Sequence, residues 1–245
     1  MTTASAKREM RVHRDLEDLS QAAADFFCEV AHAAVQQAGE FFVALCGGST
    51  PRRMYEILAG NDYRDRMDWS RTQLFWSDER CVPPDDPQSN YRMVTEALAP
   101  VAIPPVNVHR LRGEDPPEEA AREYESELRQ SFRLASNDMP RFDLILLGLG
   151  EDGHTASLFP GTSALNDTTH LVAANYVEKF KTYRLTLTLP VINNAANIAF
   201  LVAGGGKQTI LHRVLEEPGA SLPAQRVHPS NGRLLWFVDE AAAGR

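Results

Sequence analysis

Short apolar runs that stop at glycine or charge, each followed by helix-forming sequence, recur along this chain and limit its fold more than any other feature. "FFVALCGG" (41–48) leads into "STPRRMYEILA". "TQLFWSDER" (72–80) leads into the proline-rich "CVPPDDPQSN" and then "YRMVTEAL". "NIAFLVAGG" (197–205) leads into "KQTILHRVLEE". Apolar runs of this length, bounded by turn residues, are buried strands. Strands alternating with helices predict an α/β layer structure with a mostly parallel sheet. "FDLILLGLG" (142–150) is the most apolar run, which places it at the centre of the sheet. "VNVHRL" (106–111), "RLTLTLPVI" from Arg184 and "GRLLWFVDEAAA" are read as further strands.

The spacing of Leu16, Leu19, Ala23, Phe26 and Val30 predicts a helix over 15–38, stopped by Gly39. Thr50 is expected as an N-cap, with Pro51 at the first helical position. A polar amphipathic helix is expected over 117–134, with Asp115 and Glu118 resembling a capping box. Nothing marks an interdomain linker, so residues 1–245 are read as one domain.

The acidic balance, a formal net charge of −8, argues against broad nucleic-acid binding but leaves room for a small anion held by a few converging cations. No apolar run approaches the roughly 20 residues that span a membrane. The N-terminal "MTTASAKREMRVHRD" lacks the apolar core of a secretory signal. Cys28, Cys46 and Cys81 fit neither a disulfide framework nor a zinc pattern, with Cys46 read as core and Cys81 as incidental. A cytoplasmic protein is the expectation.

Ligands of such sheets bind at the carboxyl ends of the strands. Asp78, Arg80, His154, Lys207 and several glycines all fall there. Gly148-Leu149-Gly150-Glu151-Asp152-Gly153 has the letters of a dinucleotide fingerprint, but Pro160 and Gly161 break any following helix early, and no acid ends a second strand at the right distance. "GGGKQT" (204–209) lacks the first glycine of a P-loop and has Gln208 where a magnesium-holding hydroxyl is needed. Ser49 is a poor nucleophile candidate because Pro51 replaces the last glycine of an elbow. What remains is His154 in a glycine-framed loop, with Asp152 two residues away to orient it. The amides of Gly48, Ser49 and Thr50 at a helix start form an anion site, and Arg80 suits bidentate phosphate binding. Asp152 and His154 alone are too few for a metal.

Taken together, "LCGGSTP", "FWSDERCVPPDDPQSNYRM", "NVHR", "FDLILLGLGEDGHTASLFPGT", "YRLTLTLPVIN" and the "GGGKQ" turn resemble the 6-phosphogluconolactonase family along nearly the whole chain. The resemblance implies a Rossmann-like α/β fold with helices on both faces of the sheet. It also implies hydrolysis of 6-phospho-glucono-1,5-lactone without metal or organic cofactor, so the expected partner is a small sugar phosphate, with neither nucleic acid nor membrane expected. The family's catalytic histidine falls on His154, with Asp152 as its orienting partner. The positions expected to hold phosphate and ring are Gly48, Ser49, Thr50, Asp78, Arg80, Gly153, Arg184 and Lys207, and the choice between Arg184 and Lys207 as phosphate contact stays open.

Two alternatives share this fold. Glucosamine-6-phosphate isomerase/deaminases carry an acid five residues past the histidine, where this chain has Phe159. A non-catalytic sugar-phosphate effector domain would need a DNA-binding module, and the first 40 residues offer no basic helix-turn-helix. Oligomeric state is not written in the sequence.

Overall fold

Asp15 accepts the N–H of Asp18, and Gly39 takes the left-handed conformation (φ +88°) after the last turn, so helix α1 (Leu16–Ala38) starts and stops where its sequence predicts. The computed structural model describes residues 8–245, and strands and helices are interspersed along the whole of that length. Strand β1 (Arg8–His13) precedes α1. After it come β2 (Phe41–Leu45), α2 (Ser49–Ala59), α3 (Asn61–Arg64), β3 (Thr72–Trp76), β4 (Asp78–Arg80), α4 (Asn90–Ala97), α5 (Pro117–Ser131) and β5 (Leu144–Leu147). The last part holds β6 (Val172–Val177), β7 (Thr182–Leu187), α6 (Leu189–Asn193), β8 (Asn197–Val202), α7 (Gln208–Glu216), β9 (Arg233–Asp239) and α8 (Glu240–Ala243). The first seven residues, part of the stretch read as lacking a secretory signal, lie outside the described residues. Among the described residues no helix is long and apolar enough to cross a membrane.

Six strands form one wholly parallel sheet in the order β1-β9-β8-β5-β2-β3, flanked by helices, and β5 is central as its composition predicts. All four residues of β5 are buried, as a strand covered on both faces must be. A second, antiparallel sheet, β4-β7-β6, was not foreseen. It arises because the single strand expected over 72–80 is two strands. Ser77 donates its N–H to Leu45 of the large sheet (2.8 Å) and accepts the N–H of Leu187 from the small one (2.8 Å). The chain therefore changes sheets at that residue, and Asp78 and Arg80 leave the large sheet altogether.

Other expectations are corrected. The strand expected over 106–111 is a 3₁₀ turn, Pro105–Asn107, followed by one bridge from Val108 to Leu74. Arg184 is the third residue of β7, and "LPVIN" beyond it is helical. Helix α2 begins at Ser49, with Gly48 rather than Thr50 as its N-cap, because a φ of +117° there suits only glycine. The capping box before α5 does not form. Pro116 is the N-cap, and Asp115 pairs with Arg112 at 2.6 Å instead.

Candidate active site

A cleft of about 420 Å³ opens at the carboxyl ends of the large sheet's central strands. The turn after β2, the loop after β5 and the turn after β8 contribute to its wall. The small sheet supplies the opposite side from β4 and from the β6–β7 hairpin. Of the residues singled out in the sequence, Gly48, Ser49, Thr50, Asp78, Arg80, His154, Arg184 and Lys207 all line it. Asp152 and Gly153 sit behind the wall.

The glycines after β5 have a use unrelated to dinucleotides. A Cβ at Gly150 would lie 2.0 Å from the His154 ring, so only glycine leaves the ring its place. Gly153 takes φ +78°, turning the chain so that its carbonyl accepts the Ala224 N–H at 3.0 Å. The loop closes on itself: Gly150 donates to the His154 carbonyl (2.8 Å) and Gly153 to the Gly150 carbonyl (3.0 Å). Those two amides are thus spent, and neither is available to an oxyanion.

Within this loop His154 Nδ1 lies 2.5 Å from Asp152 Oδ1, and Asp152 Oδ2 accepts a hydrogen bond from Lys179 Nζ at 3.3 Å. Burial opposes ionisation of Asp152, but the bonds from His154 and Lys179 prevail and hold its carboxyl below the usual range. With Nδ1 occupied, Nε2 is the ring nitrogen left for chemistry. Phe159 stacks on the ring, centroids 4.1 Å apart.

The opposite wall is cationic. Arg80 and Arg184 are direct cross-strand partners on β4 and β7, and neither makes a salt bridge among the described residues. Burial pushes the Arg184 guanidinium down, the neighbouring Arg80 charge adds to the effect, and Asp78 opposes it. Lys207 stands at the N-cap of α7 with no ion-pair partner among the described residues. The first-turn amides of α2, with no side-chain cap, also face this space.

Asp78 does more bracing than its sequence position suggests. Its buried carboxylate accepts Ser157 Oγ at 2.7 Å and Asn90 Nδ2 at 3.3 Å, tying β4 to the histidine loop. Ser157 is held further by Thr186 Oγ1 on its N–H and Asn175 Nδ2 on its carbonyl. Glu79, unremarked in the sequence, accepts the N–H groups of Arg80, Asn90 and Tyr91 and so fixes the start of α4. Burial pushes the Cys81 thiol up to about 11, in keeping with an inert side chain. Among the described residues no three His, Cys, Asp or Glu side chains gather into a metal-holding group. Sequence reasoning missed Lys179 and Phe180 on the cleft wall. Both lie in the polar stretch "VEKFKTY", which has no strand-end glycine to mark it.

The family model described as glucosamine-6-phosphate isomerases/6-phosphogluconolactonase matches residues 14–236. The chain belongs to this family. Within the glucosamine-6-phosphate isomerase/6-phosphogluconolactonase family, it is 42% identical over 213 residues to 6-phosphogluconolactonase of Synechocystis sp., covering 85% of this chain and 86% of that one. It is 38% identical over 252 residues to probable 6-phosphogluconolactonase 1 of Arabidopsis thaliana, covering 97% and 93%. The solved structure of 6-phosphogluconolactonase from Trypanosoma brucei superposes with a TM-score of 0.85 at 29% identity, covering 98% and 99%.

Proposed function

We propose that this cleft hydrolyses 6-phospho-D-glucono-1,5-lactone to 6-phospho-D-gluconate, the second step of the oxidative pentose phosphate pathway. The deciding feature is a shared space: His154, backed by Asp152, and two cross-strand arginines with no salt bridge among the described residues line one cleft. A base and an anion clamp facing each other suit a substrate that carries its reactive carbonyl and its phosphate on one small ring.

His154 acts as the general base. Its Nε2 takes a proton from water as the water oxygen attacks the lactone carbonyl carbon, while the Nδ1 hydrogen is held by Asp152. When the tetrahedral intermediate collapses, the bond from the carbonyl carbon to the ring oxygen breaks. The imidazolium returns the proton to that oxygen. The carboxylic acid product then ionises and releases one proton to solvent. Arg80, Arg184, Lys207 and the Ser49–Thr50 end of α2 hold the phosphate and position the ring. Since the N–H groups of Gly150 and Gly153 are already bonded, the developing oxyanion relies on a basic side chain of the cleft.

Ring-opening isomerisation is the less suitable chemistry. The position where the deaminases carry an acid holds Phe159, which packs flat on the catalytic ring instead of offering it a proton.

The test is acid release from freshly made lactone in a pH-stat, above the spontaneous rate, beside ammonia release from glucosamine 6-phosphate. Catalysed acid release without ammonia supports the proposal, and the opposite result overturns it.

A further inference from the structure

The β6–β7 hairpin reaches the immediate partners of the His154 ring at two points. Its tip, the 3₁₀ turn Glu178–Phe180, carries Lys179, whose Nζ meets Asp152 Oδ2 at 3.3 Å. The next residue, Phe180, packs edge-on against Phe159 at 5.7 Å, and Phe159 stacks on His154. Lys181 takes a left-handed conformation (φ +50°) and turns the chain back into β7. Through these contacts a hairpin distant in sequence braces both the carboxylate behind the ring and the aromatic face beside it.

The charge pattern gives Lys179 a purpose beyond bracing. A carboxylate on Nδ1 orients a histidine, but its negative charge also favours the imidazolium, which cannot accept a proton. A cation on the far oxygen of that carboxylate offsets the second effect and keeps the first. The other charged groups lining the cleft are Glu151 on the histidine's own loop, Asp78 and Arg80 on β4, Arg184 on β7 and Lys207 after β8, and the Asp78 carboxylate is engaged by Ser157 and Asn90. Arg80, Arg184 and Lys207 are the cations that a bound phosphate would neutralise, whereas Lys179 is already committed to Asp152.

We infer that Lys179 is a positioning residue for the base: by pairing with Asp152 Oδ2 it holds the carboxylate on Nδ1 while offsetting its charge, so that His154 stays in the proton-accepting form. The inference deepens the lactonase reading and rests on it for its kinetic consequence. Its effect on the ring does not depend on the substrate.

The experiment compares Lys179→Met and Lys179→Arg with the wild type. In Lys179→Met the acid limb of the kcat/KM profile moves to higher pH and kcat near neutrality falls roughly five- to tenfold, the scale of one charge-assisted contact at a partly exposed pair. KM and the affinity for 6-phosphogluconate by calorimetry stay within about twofold, and Lys179→Arg restores the profile. In parallel, the His154 ring resonance, assigned by its absence in His154→Gln, is titrated by NMR without substrate, and its midpoint rises in Lys179→Met. An unmoved midpoint and profile overturn the inference. So does a variant whose main defect is weakened 6-phosphogluconate binding, which would make Lys179 a phosphate contact. Because the titration needs no turnover, failure of the lactonase reading leaves it interpretable.

Discussion

Arg80 and Arg184 stand directly opposite each other on the β4–β7 ladder, and neither makes a salt bridge among the described residues. Like charges so placed destabilise a sheet, and an anion between them reverses the sign. The ligand-free protein should therefore gain more from a bound anion than contact area alone suggests. Saturating 6-phosphogluconate, at about 100 times its Kd, should raise Tm by roughly 5 to 10 °C for a chain of this size. In Arg184→Met the unliganded Tm should equal or exceed the wild-type value, and most of the ligand-induced rise should vanish. Differential scanning calorimetry decides, and a lowered unliganded Tm with a full ligand shift would refute the relationship.

Arg80→Ala should weaken binding more than chemistry. Charge-assisted contacts contribute roughly 1.5 to 3 kcal/mol, so KM should rise by about one to two decades with a smaller change in kcat. A lactone without phosphate is the control, on which mutant and wild type should behave alike. Equal impairment on both substrates would assign Arg80 to the carbonyl or to the fold.

His154→Gln should keep its circular dichroism spectrum and lose roughly 10² to 10⁴ in turnover. Gly150→Ala should approach the same loss by a different route, since the new methyl occupies the space of the ring and displaces it. Binding of 6-phosphogluconate by calorimetry should survive in both. A Gly150→Ala enzyme with near wild-type kcat would mean that the ring position does not matter.

Glu79 makes stability depend on pH with an uncommon sign. Burial raises its carboxyl above the ordinary value, against the pull of three backbone N–H bonds. The folded state then holds the proton more tightly than the unfolded one. Its contribution is fully present below the ordinary value of about 4.3 and is lost as pH rises through the higher folded value. Urea unfolding of wild type and Glu79→Gln across that window should show the wild type losing stability relative to the variant with increasing pH. A difference that is flat or grows in the other direction would contradict the assignment.

The strands most legible in the sequence are those buried on both faces. β2, β5 and β8 announce themselves as apolar runs closed by glycine, because a covered parallel strand has no polar side to obscure it. β1, "REMRVH", was invisible, since an edge strand carries charge along its open side. β6 was invisible for another reason: Asn175 sits fully buried in it, tethering the histidine loop rather than filling core. The break at Ser77 leaves no trace in composition because it is made by hydrogen bonds to Leu45 and Leu187, residues far along the chain. In the cleft, His154 was legible from its glycine frame and Arg80 from its place at a strand end. Lys179 was not, because an isolated lysine in a polar stretch takes on meaning only when folding brings Asp152 to it.

The change of sheets at Ser77 also bears on how the length of such a chain can vary. Arg80 lies three residues beyond the point where both sheets are tied to one backbone unit. A single inserted or deleted residue between them would reverse the alternation of the short strand. Arg80 would turn away from the cleft and Glu79 away from the helix it anchors. Insertions and deletions among relatives should therefore spare 77–80 and collect past Arg80, in the loop running to Ser89.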